Sequence, residues 1–353
     1  MLKNFKKILT IIFIIIFIFW FSYFFWNDYK SHYEEIKKQQ ISKNLVLEKA
    51  NNFTLKNVKD IENLNLYYTP YKNLLNKLVE KIEKAKKNVY LEVYILTEKR
   101  LQNALIKAKN SWIDVKVILE KNPYRSPNLN KKAYDFLKSK WVNVVYSNTN
   151  NFSLNHSKMI LIDDEIFLST GNFTYWSFVY NREFMLFLKN KDLYDKLKKI
   201  FLWDYNWKLV YVYDDNLILS PEYSRIIFEK IFSQSKKELK MYFPYLNDEE
   251  LLNLLIEKKN LGIDISMILW PDSSGDELEI ERLQKAWIKV KILKKPKVHA
   301  KAILVDNEVL YIWSINFSKY SLDFNREIGI IFRNKEVIGK FLKVFYNDFY
   351  TKK

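Results

Sequence analysis

Two short stretches of the chain repeat the same chemically active residue types at the same spacing. Both follow the pattern H-x-K-x4-D, first as His156, Lys158 and Asp163 and then as His299, Lys301 and Asp306. An imidazole can act as a nucleophile or donate a proton, and a lysine ammonium group binds phosphate oxygens. The repeated pattern therefore favours chemistry on a phosphate ester.

Each motif is followed by an asparagine and, eleven residues later, by a glutamate. These residues, with the hydroxyl two positions before each asparagine, are Thr170, Asn172 and Glu183, then Ser314, Asn316 and Glu327. In a β-strand, alternate residues point to the same face, so the histidine and lysine of each motif would point the same way. Two such strands could gather these groups around one tetrahedral phosphate.

A single H-x-K would more often contain a satisfied core histidine than a catalytic one. Recurrence of five residue types at nearly the same spacing disfavours that interpretation. The chain has only three histidines and no cysteine, which excludes disulfides and thiolate metal sites and argues against a zinc site built from histidine. We therefore predict neither a metal nor a cofactor.

The paired motifs resemble the phospholipase D superfamily, whose signature H-x-K-x4-D-x6-G-S-x-N occurs twice. The resemblance covers roughly residues 64 to 353 and implies that one of His156 and His299 attacks phosphorus to form a phosphohistidine. The other histidine would protonate the leaving alcohol. The sequence does not decide which histidine has which role.

The resemblance also implies roles for the other motif residues. Lys158, Lys301, Asn172 and Asn316 would bind the phosphoryl oxygens, with Thr170 and Ser314 in the same phosphate-binding segments. Glu183 and Glu327 would hydrogen-bond the imidazoles and set their tautomers. Asp163 and Asp306 belong to the catalytic signature, and we expect them to support it structurally.

Tryptophan replaces glycine at several positions of the pattern. Trp313 stands at the family's glycine before Ser314, where a positive φ would strain it. Trp112 matches Gly262 of the other half, and Trp141 and Trp287 follow helical stretches where glycine is usual. A genetic code that translates UGA as glycine would produce this pattern, with Trp20, Trp26 and Trp176 as further candidates. The alternative is that the second motif is no longer functional and has accumulated substitutions such as Trp313.

From residue 64 the chain matches itself segment by segment, with strand-like stretches alternating with helical ones. We predict an α/β fold of two similar sandwich halves, each a mixed sheet flanked by helices, related by a pseudo-twofold axis. The halves would span residues 64–208 and 209–353. Because both motifs lie in one chain, a monomer can complete the site.

Residues 8–26 carry no charge and would form a helix of about 28 Å, close to the hydrocarbon thickness of a bilayer. Lysines within residues 1–7 favour a cytoplasmic tail. We predict a single-pass signal anchor, a stalk over residues 27–63, and a catalytic domain outside the cytoplasm at the cell membrane. A cleaved signal peptide is the alternative.

A net charge of +17 favours polyanionic partners, although biased codon supply also produces such a composition. We expect a phospholipid substrate, turned over by hydrolysis or by transfer to another alcohol. A cardiolipin-synthase-like transfer is a variant, although such enzymes usually carry two membrane spans. The alternatives are an anchored nuclease acting on nucleic acid and, if Trp313 is genuine, a phosphate-binding module without activity.

Overall fold

The computed structural model describes residues 2–270 and 276–351. Side chains of most residues up to 32, and those of Lys72 and Asp276, lie outside this description. The chain divides into two compact units, residues 1–48 and 49–353. The first unit is most of a single helix, α1 (Leu2–Asn51).

The predicted membrane anchor falls within α1. Over the part of the chain that the structure describes, no helix combines the length and the apolar character needed to cross a bilayer. Most side chains of residues 8–26 are outside the described set, so the anchor stays a prediction.

The first half of the second unit follows a short 3-10 helix (Leu55–Asn57). Its strands are β1 (Leu64–Tyr68), β2 (Asn88–Val93), β3 (Asp114–Leu119), β4 (Asn143–Tyr146), β5 (Lys158–Ile162), β6 (Glu165–Ser169), β7 (Asn181–Arg182) and β8 (Phe184–Leu188). Its helices are α2 (Lys72–Glu83), α3 (Lys99–Asn110), α4 (Lys131–Ser139), α5 (Tyr175–Val179) and α6 (Lys191–Tyr205).

The second half repeats this series. Its strands are β9 (Leu217–Ser220), β10 (Glu238–Phe243), β11 (Leu246–Asn247), β12 (Asp264–Leu269), β13 (Lys289–Ile292), β14 (Lys297–Val298), β15 (Ala302–Val305), β16 (Val309–Trp313), β17 (Phe317–Ser318) and β18 (Glu327–Phe332). Its helices are α7 (Ser224–Ser233), α8 (Glu249–Asn260), α9 (Asp276–Lys285), α10 (Lys319–Asp323) and α11 (Lys335–Tyr350).

The two large sheets have the same strand order. The first runs β1-β8-β6-β5-β2-β3-β4, and the second, taken from its matching edge, runs β9-β18-β16-β15-β10-β12-β13. In each, the three strands at one end are parallel and the others antiparallel. The predicted pair of similar α/β halves with mixed sheets and flanking helices is confirmed.

Lys158 begins β5 and Lys301 directly precedes β15, and both strands lie in the middle of their sheets. Ile160 and Ile162 of β5 pack into a core with β2, β3 and helices α2 and α3. β2 is buried along its whole length, as expected for a strand covered on both faces. The motif residues therefore stand on a rigid layer.

The linker predicted over residues 27–63 is not an exposed stalk near its end, where the chain is packed into the second unit. Phe53, Leu55, Val58 and Ile61 are buried within the second unit. The side chain of Gln234 accepts a hydrogen bond from the Leu55 amide and donates one to the Phe53 carbonyl. Apolar side chains recur every two or three residues in this segment, and they are the ones that pack. Polar residues between them make the pattern hard to recognise in the sequence.

Three of the tryptophans proposed as glycine positions have a left-handed backbone. Trp112, Trp141 and Trp287 have φ values of 64°, 61° and 62°, and their side chains are 97%, 84% and 83% exposed. Gly262, the match of Trp112, has φ of 92°. Trp207, which the sequence did not suggest, has φ of 59° after α6.

Trp313 does not fit this group, and the suggested positive φ there is wrong. It ends strand β16 without a positive φ and is buried against Tyr311 and Phe228. Its cross-strand partner is Gly329, where an added Cβ would lie 2.5 Å from the Trp313 Cβ. The same Cβ would lie 2.8 Å from the Tyr311 ring, so glycine at this position leaves room for the Trp313 Cβ and for that ring.

Glycine at Trp112, Trp141 and Trp287 is expected to stabilise the protein. A left-handed backbone costs a residue with a Cβ about 1–2 kcal/mol and costs glycine little, although glycine gains entropy on unfolding. We expect the triple glycine variant to exceed the triple alanine variant by about 2–3 kcal/mol in free energy of unfolding, measured by urea denaturation. Alanine controls for loss of the exposed indoles, and equal stabilities would contradict the prediction.

Candidate active site

The two motif histidines lie where the halves meet. His156 precedes β5, and its backbone N–H donates to the carbonyl of Arg326 in the other half, at 2.8 Å. His299 follows β14, and its N–H donates to the Arg182 carbonyl at 3.1 Å. Because β14 pairs with β7 across the same junction, backbone hydrogen bonds fix the position of each histidine against the opposite half.

Each imidazole contacts the glutamate of the opposite half. Nδ1 of His156 lies 2.8 Å from Oε2 of Glu327, and Nδ1 of His299 lies 2.7 Å from Oε1 of Glu183. Both carboxylates are fully buried. A carboxylate at Nδ1 fixes the ring orientation and leaves Nε2 as the nitrogen available for chemistry.

The two motif lysines are buried beside the imidazoles. Nζ of Lys301 lies 3.2 Å from Nδ1 and 3.3 Å from Nε2 of His299, and it donates to the Thr170 carbonyl of the other half at 3.3 Å. Nζ of Lys158 donates to the His156 carbonyl at 2.5 Å. The predicted grouping of histidine and lysine from both motifs is present in one place.

Burial shifts the ionisation of all four cationic groups. It lowers the pKa of Lys301 to about 8 and holds the pKa of Lys158 well below its usual range. Burial, reinforced by the neighbouring lysines, also lowers the pKa of His156 strongly and that of His299 less. A bound phosphodiester anion would oppose these shifts and favour the charged forms.

The two glutamates differ in ionisation. Burial raises the pKa of Glu327 to about 8, against the pull of Lys158. Burial also opposes ionisation of Glu183, but His299 and Lys301 hold its pKa below the usual value. Glu183 beside His299 therefore favours the charged carboxylate more than Glu327 beside His156 does.

The motif asparagines have amide oxygens without a hydrogen-bond partner among the described residues. Oδ1 of Asn172 and Oδ1 of Asn316 are both buried in this state, at matching positions of the two halves. An unpaired buried amide oxygen is costly, and as an acceptor it suits a hydroxyl or a water, whereas phosphoryl oxygens would be bound by the Nδ2 donors of the same amides.

The hydroxyls of Thr170 and Ser314 have other partners than the phosphate predicted for them. Thr170 donates to Oε2 of Glu183 at 2.7 Å and accepts from the Phe184 amide. Ser314 accepts from the Ile328 amide at 3.1 Å. Both hydroxyls therefore brace the strands that carry the glutamates.

Gly171 makes room for one of those glutamates. A Cβ at this position would lie 2.6 Å from the Glu183 carboxyl carbon, closer than side chains approach. The second half has the buried Ile315 at the corresponding position.

Asp163 and Asp306 lie at the far ends of β5 and β15, away from the imidazoles. Asp163 accepts hydrogen bonds from three consecutive backbone amides, those of residues 86–88, at 2.7–3.2 Å. Asp306 does the same with residues 236–238. These hydrogen bonds hold the start of the neighbouring strand.

Sequence analysis missed two buried ion pairs beneath the site. Arg182, next to Glu183, binds Asp348 through two hydrogen bonds of 2.7 and 2.8 Å. Arg326, next to Glu327, donates to Asp204 at 2.9 Å and to Glu222 at 2.6 Å. The signal was available, because the triplet Asn-Arg-Glu occurs in both halves and an aspartate follows each glutamate after 21 residues.

Over residues 2–270 and 276–351, no group of three or more carboxylate or imidazole side chains could hold a metal ion. The positive charge in the site comes from lysines, which can stabilise phosphoryl oxygens directly.

Comparison with known proteins identifies the family of the chain. The family described as "Cardiolipin synthase, PLD-like domain" matches residues 78–205 and 228–349. A cardiolipin synthase of Clostridium perfringens (strain SM101 / Type A) is 23% identical over 377 residues, covering 91% of this chain and 77% of that protein.

Solved structures show the same fold. A phosphatidylserine synthase of Haemophilus influenzae superposes with a TM-score of 0.66 at 14% identity, covering 87% of this chain and 90% of that one. A polyphosphate kinase of Porphyromonas gingivalis gives 0.63 at 15% identity, covering 82% of this chain and 50% of that one. The chain belongs to the phospholipase D superfamily, and it is a phospholipase D-like phosphodiesterase.

Proposed function

We propose that this enzyme acts on phospholipids, by hydrolysis or by transfer of a phosphatidyl group to another alcohol, through a phosphohistidine and without a metal. One observation carries the proposal: two histidines with crossed glutamate partners share a site with two buried lysines. The named relatives, a cardiolipin synthase and a phosphatidylserine synthase, support a lipid substrate.

The chemistry follows from the two Nε2 atoms. In the first step, Nε2 of one neutral histidine forms a bond to phosphorus while the bond from phosphorus to the leaving oxygen breaks. The other histidine, as an imidazolium, gives its Nε2 proton to that oxygen. Lys158 and Lys301 stabilise the charge on the phosphoryl oxygens, and Asn172 and Asn316 donate neutral hydrogen bonds.

The second step reverses these roles. Water or an acceptor alcohol loses its proton to the now neutral second histidine and attacks phosphorus, and the N–P bond breaks. The glutamates stay at Nδ1 throughout and compensate the positive charge of each imidazolium. Both product routes use the same residues, so access of the acceptor decides between hydrolysis and transfer.

We further propose that the enzyme works at the cell membrane as a monomer, anchored through residues 8–26 with its catalytic domain outside the cytoplasm. The apolar stretch and its flanking lysines support this location. Comparison with known proteins does not support the alternative of a nucleic-acid substrate.

The test is lipid turnover by the full chain in mixed micelles of phosphatidylglycerol and phosphatidylcholine. We expect headgroup release or cardiolipin formation. A metal chelator should change the rate by no more than about twofold, because lysines supply the positive charge at the phosphate. The double variant His156→Ala/His299→Ala is the blank. Loss of activity on chelation, or cleavage of single-stranded DNA without lipid turnover, would contradict the proposal.

A further inference from the structure

Two exposed aromatic pairs stand at matching positions of the two halves. Four and eight residues beyond Asn172 come Trp176 and Tyr180, whose ring centroids are 4.5 Å apart. Tyr320 and Phe324 stand at the same distances beyond Asn316, with centroids 5.7 Å apart. These four side chains are between 43% and 69% exposed, although large aromatics are usually mostly buried.

Both pairs are close to the site residues along the chain. Trp176 and Tyr320 lie on the short helices α5 and α10 after the site asparagines, and Tyr180 and Phe324 directly follow these helices, three residues before the site glutamates. The Phe324 carbonyl accepts a hydrogen bond of 2.8 Å from the amide of Ser153, three residues before His156. Each half therefore carries one exposed pair within four residues of a site residue along the chain.

Basic residues lie close to the same place. Lys294 and Lys295 are exposed and come a few residues before His299, just ahead of β14. The corresponding segment before His156 has no lysine. Positive charge beside exposed aromatic rings suits a surface that is both apolar and anionic.

We propose that the two aromatic pairs and the neighbouring lysines form a docking surface for the headgroup layer of an anionic phospholipid bilayer. The proposal rests on the lipid activity proposed above and adds how the site meets its substrate. Aromatic rings with a polar edge settle at the headgroup level of a membrane. Rings on both sides of the site would hold it over a phosphodiester at that depth.

The test compares one headgroup in two physical states. The full chain and its variant Trp176→Ser/Tyr320→Ser are assayed on vesicles of equal parts phosphatidylglycerol and phosphatidylcholine. They are also assayed on dihexanoyl phosphatidylglycerol below its critical micelle concentration. The matched control is Trp112→Ser/Trp287→Ser, which removes two exposed indoles that lie outside both motifs, at the turns from α3 to β3 and from α9 to β13. Any contribution of the amino-terminal segment is common to all three proteins.

We expect the docking variant to lose about tenfold or more of its vesicle turnover while its turnover of the monomeric lipid stays within about twofold. The control should keep both activities. Loss of charge through Lys294→Gln/Lys295→Gln should lower turnover on these vesicles more than on vesicles with less phosphatidylglycerol.

Several outcomes would overturn the docking surface. One is unchanged vesicle turnover by the aromatic variant, and another is an equal loss on both lipids, which would place the rings in the site itself. Loss of oligonucleotide cleavage with vesicle turnover retained would assign the rings to stacking with bases. Failure of the unaltered chain on both lipids would instead refute the proposed function.

Discussion

Alanine at either His156 or His299 is expected to lower phosphodiester turnover by roughly 10⁴-fold or more, because each histidine supplies a step that nothing else in the site can. In the proposed mechanism the lysines bind the phosphoryl oxygens, and both glutamates are engaged at Nδ1. Turnover of phosphatidylglycerol in mixed micelles measures the loss. His32→Ala, the third histidine of the chain, is the matched control because it lies outside both motifs.

The same variants can identify the nucleophile. A diester with a p-nitrophenolate leaving group needs little protonation, so the variant without the general acid should still form the phosphohistidine and release one equivalent of nitrophenolate. The variant without the nucleophile should give no burst and no covalent adduct by mass spectrometry. Turnover within about tenfold of the unaltered chain in either variant would contradict the assignment of these residues.

Much of the fold follows from the sequence because the chain is duplicated. Each copy constrains the other, so strand-like and helical stretches that are ambiguous alone gain support from their counterparts. The α/β halves and their mixed sheets were predictable in this way. The grouping of His156, Lys158, His299 and Lys301 followed from motif spacing and from the two-residue repeat of a strand.

Partner choice within the site was not predictable from the sequence. Spacing places Glu183 and His156 in one half, but it cannot say that His156 meets Glu327 and His299 meets Glu183. That crossing depends on how two separately folded sheets meet. The buried partners of Thr170 were hidden for a related reason, since strand pairing between β6 and β8 sets the contact of its hydroxyl with Glu183.

The crossed arrangement extends below the site, where charge balance differs between the two arginines. Among the described residues, Arg182 has one carboxylate partner, Asp348 of the last helix, and both side chains are buried. Arg326 has two, Asp204 and Glu222. Burial, with the nearby Glu92 and Glu222, raises the pKa of Asp204 well above its usual value, against the pull of Arg326.

Asn at position 348 is therefore expected to destabilise the protein by about 3–5 kcal/mol, because it leaves the Arg182 guanidinium buried without a counter-charge. The same change at Asp204 should cost less, since Arg326 keeps Glu222 as a counter-charge and burial already disfavours the charged form of Asp204. Free energies of unfolding from urea denaturation of Asp348→Asn and Asp204→Asn measure both. Equal losses would contradict the argument from charge balance.

The two substitutions should also differ in activity. The Arg182 carbonyl accepts the backbone hydrogen bond of His299, so a guanidinium that moves toward water would shift that histidine away from Glu183. We expect kcat to fall in Asp348→Asn while KM changes little. In Asp204→Asn, both kcat and KM should stay unchanged. A purely structural role would instead reduce the amount of folded enzyme and leave kcat per active site unchanged, which titration of the phosphohistidine burst distinguishes.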